Sequence, residues 1–148
     1  MFRESELRTF IDGTVRFFET LTTQAASVGS PYLVTDGKPG TYEFAGVIEV
    51  SGARKGMVYF TAPRGMLAVL LMRMQETDTS EESMRDLIGE VANTISGNAR
   101  RDLGKGFVIS VPSVLANSRE GVEMPYPRAF VIPINWRTHA AKLVVCLQ

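Results

Sequence analysis

Four residues stand in a line that could do chemistry: Asp86, Glu90, Asn93 and Gly97. Their spacings of four, three and four place them along one side of an α-helix, where residues three and four apart are neighbours. A carboxylate and a carboxamide so placed offer a negative charge, a donor and an acceptor to whatever docks there. Gly89 and Gly97 sit within the same helix and flank that side. Each costs about 1 kcal/mol relative to Ala in a helix interior. A glycine on an exposed face stabilises nothing, but it lets another backbone come close. Asn93 is itself a poor mid-helix residue. On spacing alone the line is open to three readings: a solvated face, a partner surface or a catalytic one.

The helix that must carry this line runs from Ser80 to Leu103. At 100° per residue, Met84, Leu87, Ile88, Val91, Ala92, Ile95 and Ala99 form one continuous apolar stripe. Asp86, Glu90, Asn93 and Gly97 lie opposite it. Asn98 falls near the core side and reads as structural. Thr79 with Glu82 has the spacing of a capping box, and Gly104 is placed to end the helix. Arg100, Arg101 and Lys105 form a cationic helix end that suits the dipole.

Other elements surround this helix. Leu7, Phe10, Ile11, Thr14, Val15, Phe18 and Leu21 recur at helical spacing, predicting a helix over Ser5 to Ala26 with Ser5 as N-cap. A turn-rich stretch follows, with Gly29, Pro31, Asp36, Gly37, Pro39 and Gly40. Tyr42 to Val50 and Met57 to Thr61 read as a hairpin joined by Gly52 to Gly56. Pro63 to Gln75 reads as a helix buried on nearly every side. A polar break covers Glu76 to Glu82. The last third reads as strands at Phe107 to Val111, Ser113 to Ala116, Ala129 to Trp136 and His139 to Leu147. Pro112, Pro125, Pro127 and Pro133 confine these strands to edges, ends or bulges. Segregated helices and strands in this order predict an α/β protein of the α+β type, with long helices on a mostly antiparallel sheet. One domain over residues 1–148 is the simplest organisation.

Composition removes several chemistries. The 148 residues include one Cys (Cys146), one His (His139) and one Trp (Trp136). One Cys and one His cannot build a Cys/His zinc site. A single Cys forms no internal disulfide, so a reducing cytoplasm is the expected compartment. His139 would have to carry any Ser-His-Asp catalysis alone, and no G-x-S-x-G elbow is present. It reads as structural or exposed, and Cys146 as a core thiol. The formal net charge is zero, which gives no global attraction to nucleic acid or membrane. The longest apolar run, Met66 to Met72, is too short to span a bilayer.

Asp86-Leu-Ile-Gly-Glu90-Val-Ala-Asn93-Thr-Ile-Ser-Gly97-Asn98-Ala99 resembles the signature helix of the CheC/CheX/FliY family of chemotaxis phosphatases. Ile109-Ser-Val-Pro-Ser-Val114 resembles the strand and proline that follow it in the family, and Phe10 to Leu21 resembles the amino-terminal helix of CheX proteins. CheC-type proteins carry the motif twice. Here the first helix has Glu19-x-x-Thr22 with no Asn, so the single motif in a stand-alone domain resembles CheX.

The resemblance implies a CheC/CheX-like fold, usually homodimeric through sheet edges. It also implies hydrolysis of the aspartyl phosphate of a CheY-like response-regulator receiver. Glu90 would pair with the receiver's lysine, and Asn93 would hold a water in line with the phosphoryl group. Such positioning suits phosphoryl transfer. Asp86, Gly89 and Gly97 would help docking. The chain would need no metal or cofactor of its own, because the receiver supplies Mg2+. The other reading is a CheX-like module that binds a receiver or another signalling partner without catalysis.

Overall fold

A computed structural model describes residues 3–117 and 121–148 of the chain. Helix α1 (Glu4–Thr22) opens it. Its core face, Leu7, Phe10, Phe17 and Phe18, is buried. The N-cap is Arg3, two residues ahead of the expected Ser5, because the Glu6 carboxylate accepts from the Arg3 N–H at 3.0 Å. The helix stops before Ala26. Thr23 turns left-handed at φ 58°, and Thr22 sends its hydroxyl back to the Phe18 carbonyl at 2.7 Å.

The turn-rich stretch holds two short strands absent from the sequence reading, β1 (Ser27–Val28) and β2 (Tyr32–Val34). Both pair with the later strand β7 (Ala129–Trp136). The expected hairpin forms, β3 (Phe44–Gly52) pairing antiparallel with β4 (Gly56–Ala62), but Gly52 and Gly56 belong to the strands and the loop shrinks to residues 53–55. Helix α2 (Arg64–Arg73) follows Pro63. It buries Met66, Leu67, Leu70 and Leu71 but leaves Met72 65% exposed, so it is covered on one side and not all round.

Helix α3 (Glu81–Leu103) is the longest element. All seven residues of the expected stripe are buried. Its cap differs from the expected Thr79–Glu82 box: Ser80 is the N-cap and its hydroxyl accepts from the Ser83 N–H at 3.3 Å. Asp78 accepts from the Ser80 N–H at 2.9 Å and fixes the approach. Gly104, at φ 95°, closes the helix as expected.

Strands β5 (Phe107–Ile109), β6 (Ser113–Ala116), β7 and β8 (His139–Leu147) complete the chain. Among the described residues, eight strands form one sheet in the order β1-β7-β8-β4-β3-β5, with β2 also on β7 and β6 also on β3. Every pairing is antiparallel.

Alternation sorts the side chains between two faces. Ile48, Phe60, Ile132 and Leu143 join the helices in the main core. Val47, Tyr59, Val131, Val144 and Cys146 point the other way and are covered by Val122, Met124 and Tyr126. Both faces are therefore apolar, which is why the strands read as nearly continuous hydrophobic runs.

Two prolines show how the edges are built. Pro133 lies inside β7, not at its end. It falls between the segments paired to β1 and β2, and its carbonyl accepts from the Gly29 N–H at 2.9 Å. The neighbouring strand detours where an N–H is missing.

Pro112 marks a bulge. Ile109 pairs with Val50, the Ser110 N–H reaches the Glu49 carbonyl at 2.9 Å, and Ser113 pairs with Val47. Val111 and Pro112 thus both oppose Ile48. The expected strand to Val111 is interrupted there, and β5 and β6 form one bulged edge.

Candidate functional site

Helix α3 is set on the sheet by a backbone contact. A Cβ on Gly46, the third residue of β3, would lie 2.4 Å from the Ile88 carbonyl oxygen. Only glycine lets helix and strand approach this closely. The sequence reading passed over Gly46, although a lone glycine in an apolar strand is itself a signal of close approach.

The bulged edge strand then runs beside the helix in the opposite direction, fixed at three levels. Asn117 donates to Glu81 at 2.7 Å near the helix start. Val114 and Pro112 lie against Gly89 in the middle, where a Cβ would meet Val114 Cγ2 at 3.2 Å and Pro112 Cβ at 3.6 Å. Near the end, the Arg100 Nε donates to the Phe107 carbonyl at 3.2 Å.

On this frame Asp86 and Glu90 are exposed, and Asn93 and Gly97 are half-buried. Glu90 and Asn93 are about 4.5 Å apart along the helix axis, with their Cβ atoms about 5–6 Å apart. Among the described residues, no hydrogen bond or ion pair engages the side chains of Asp86, Glu90 or Asn93.

Gly89 differs from its expected place. It is buried on the flank that faces the edge strand. The space left by its missing side chain is occupied by Pro112 and Val114, so it serves packing within the chain. Gly97 does face open space: no atom lies within 4 Å of where its Cβ would stand. Asn98 is half-buried and its Cβ would lie 3.4 Å from a Cβ on Gly13 of α1, which fits its structural reading.

Nearby acids are engaged differently. Glu81 accepts from Arg64 at 3.1 Å and from Asn117, and these bonds hold its carboxyl below the usual value of 4.5. Arg64 also contacts Glu43 at 3.4 Å. This network ties the start of α2, the end of β6 and the start of α3 together. Arg101 and Lys105 are exposed at the helix end.

His139 is half-buried and stacks on Trp136 with ring centroids 6.3 Å apart. Cys146 is buried, with its sulfur 3.3 Å from the Arg128 carbonyl, and burial pushes its thiol pKa up. Among the described residues, no cation offsets that burial, as one does at a reactive thiol. Among the described residues, no group of three or more His, Cys, Asp or Glu is placed to hold a metal ion. No described helix is long and apolar enough to cross a membrane. The site can therefore pair a cation through Glu90 and orient a small hydrogen-bonding molecule through Asn93.

Comparison with solved structures gives the fold a place. A CheC-like superfamily protein from Shewanella sp. PV-4 superposes with a TM-score of 0.87 at 21% identity, over 99% of both chains. The chemotaxis protein CheX of Desulfovibrio desulfuricans does so with a TM-score of 0.82 at 21% identity, over 97% of this chain and 99% of that one. CheX in a CheX–CheY–BeF3–Mg2+ complex from Borrelia burgdorferi gives a TM-score of 0.77 at 16% identity, over 99% of both chains. No curated protein matches the sequence. Residues 44–135, more than half of the chain and including the whole of α3, match the family described as chemotaxis phosphatase CheX, and the chain belongs to that family.

Proposed function

We propose that the chain, acting as a single CheX-like domain over residues 1–148, hydrolyses the aspartyl phosphate of a phosphorylated CheY-like receiver. One observation carries this reading. Glu90 and Asn93 lie one turn apart on the outer side of α3, with their polar groups unspent among the described residues. Glu90 pairs with the receiver's lysine and sets the docking angle. Asn93 hydrogen-bonds a water and aligns it with phosphorus. That water attacks, the P–O bond to the receiver's aspartate breaks, and inorganic phosphate leaves. Asn93 accepts no proton for good; its contribution is alignment. The Mg2+ belongs to the receiver, in keeping with the Borrelia burgdorferi complex of CheX with CheY, BeF3 and Mg2+. Asp86 and Gly97 lie at the rim of the docked face. We place the reaction in the cytoplasm and take the working form to be a homodimer.

The test is to incubate the chain with phosphorylated CheY-like receivers and follow loss of phosphate, beside Asn93→Ala. Acceleration by the wild type and none by the variant is the expected result. Receiver binding with an unchanged phosphate lifetime would instead establish a non-catalytic module on the same surface.

A further inference from the structure

The geometry points to Val111 as an apolar docking knob for the phosphorylated receiver, a residue that sets how tightly and which receiver binds beside Glu90 and Asn93. This rests on the phosphatase reading above.

Val111 is 82% exposed, the most of any large apolar residue among those described, with Met72 next at 65% and Tyr32, Leu33 and Val108 at 44%, 40% and 45%. Its exposure follows from the bulge. Phe107 and Ile109 point to the helix-bearing side of the sheet, and beyond the bulge Val114 and Ala116 do the same. An alternating strand cannot satisfy both sets without one extra residue. That residue leaves Val111 and Pro112 adjacent on the helix side. Pro112 takes the space beside Gly89. Val111 has no such recess and stands out next to the helix.

Its level along α3 follows from the fixed point at Gly89. The bulge sets Val111 and Pro112 opposite the same residue, Ile48, and Pro112 lies against Gly89. Val111 therefore stands beside the turn that runs from Gly89 through Glu90 to Asn93. A receiver seated on Glu90 must cover Val111.

Self-association by strand addition does not account for this residue. A bulge and a proline both blunt an edge against pairing with another strand. What remains is a side-chain contact: an apolar knob continuous with a charged and a polar group. Interface anchors take this form, with the apolar contact contributing affinity and the polar groups fixing register. The fitting partner carries an apolar recess next to the acidic pocket that holds its phosphoryl group.

The experiment compares wild type, Val111→Asp and the near-isosteric Val111→Thr. Hydrolysis of a phosphorylated receiver is followed as kcat and KM. Receiver binding by titration, thermal melting and sedimentation are measured beside it. We expect KM to rise about tenfold or more in V111D and less in V111T, with kcat within about twofold and melting unchanged. An unchanged KM and receiver affinity overturns the proposal, as does loss of self-association as the sole effect. A wild type that binds the receiver without hydrolysing its phosphate overturns the phosphatase reading alone, because the V111D effect on binding still decides the knob. A wild type that does neither overturns both.

Discussion

Gly46 and Ile88 bring a strand and a helix together backbone to backbone. A Cβ on Gly46 would lie 2.4 Å from the Ile88 carbonyl oxygen and 3.1 Å from the Ala92 Cβ. Neither neighbour is a flexible side-chain end, so the helix itself must move to admit one. Glu90 lies two residues beyond Ile88, so any shift there displaces the functional line. We expect Gly46→Ala to cost about 3 kcal/mol through overpacking, and to lower the melting temperature by about 10 °C. A melting curve that overlays the wild type would show that the contact is looser than described.

Gly97 stands in the opposite situation. It is an interior helix glycine with no atom within 4 Å of its missing Cβ. An alanine there meets no internal obstacle and gains helix propensity, so Gly97→Ala should stabilise the fold by up to about 1 kcal/mol. If the open space exists for a partner's backbone, the same variant should bind a receiver less well. Higher melting temperature with a raised KM is the expected pair of results. Higher stability with unchanged kinetics would remove Gly97 from the docking face.

These two glycines also show what was legible in the sequence. The α3 stripe and its opposite polar line follow from the helical period, and every stripe residue is buried. Periodicity reads one element against solvent, so it says nothing of a second element on the flank. Helical spacing therefore groups Gly89 with Gly97, although Pro112 and Val114 occupy its side. The bulge at Val111 and Pro112 was hidden for a related reason, since it exists only in the register with β3. Strands β1 and β2 span two and three residues, too short to carry an alternation, and they are strands because β7 offers them partners. The cap of α3 turned on one residue, with Ser80 in place of Thr79. Of the candidate site, the identities and spacing of Asp86, Glu90 and Asn93 were readable, whereas the edge strand beside them was not.

Glu81 gives a pH dependence whose sign can be worked out. Its carboxyl is held below 4.5 by hydrogen bonds from Arg64 and then Asn117. The ionised form is therefore favoured by folding, and its contribution is fully present above 4.5. It is lost as pH falls through the lower value of the folded state. Asp78, held below 3.8 chiefly by the Ser80 N–H, acts in the same direction. Glu81→Gln should be less stable than wild type near neutral pH, with the difference closing as pH falls below 4.5 and the folded-state carboxylate takes up its proton. Denaturant titrations at several pH values measure it. A difference that stays constant as the carboxylate is titrated would mean the ionised Glu81 contributes nothing to this helix start.

Glu90 and Asn93 should separate in kinetics, because they are given different tasks by their chemistry. Glu90 is an exposed carboxylate, suited to a charge pair formed as the receiver docks. Such a pair acts on encounter and register. Glu90→Gln keeps the shape and removes the charge, so we expect KM for the phosphorylated receiver to rise about tenfold, with a smaller change in kcat. High salt should weaken the wild type towards the variant, since screening removes the same attraction. Asn93 is asked to hold a water at the moment of attack. Misplacing a reacting group by about 1 Å costs on the order of a hundredfold in rate. Asn93→Ala should therefore lose about a hundredfold or more in kcat with little change in receiver affinity. Asn93→Asp is the stricter test. It keeps the size of the side chain, loses the N–H donor and adds a negative charge beside an anionic phosphoryl group. We expect it to be as slow as Asn93→Ala. If Asn93→Asp instead retained the wild-type rate, the amide donor would be irrelevant, and a general base would replace water alignment as the account of this site.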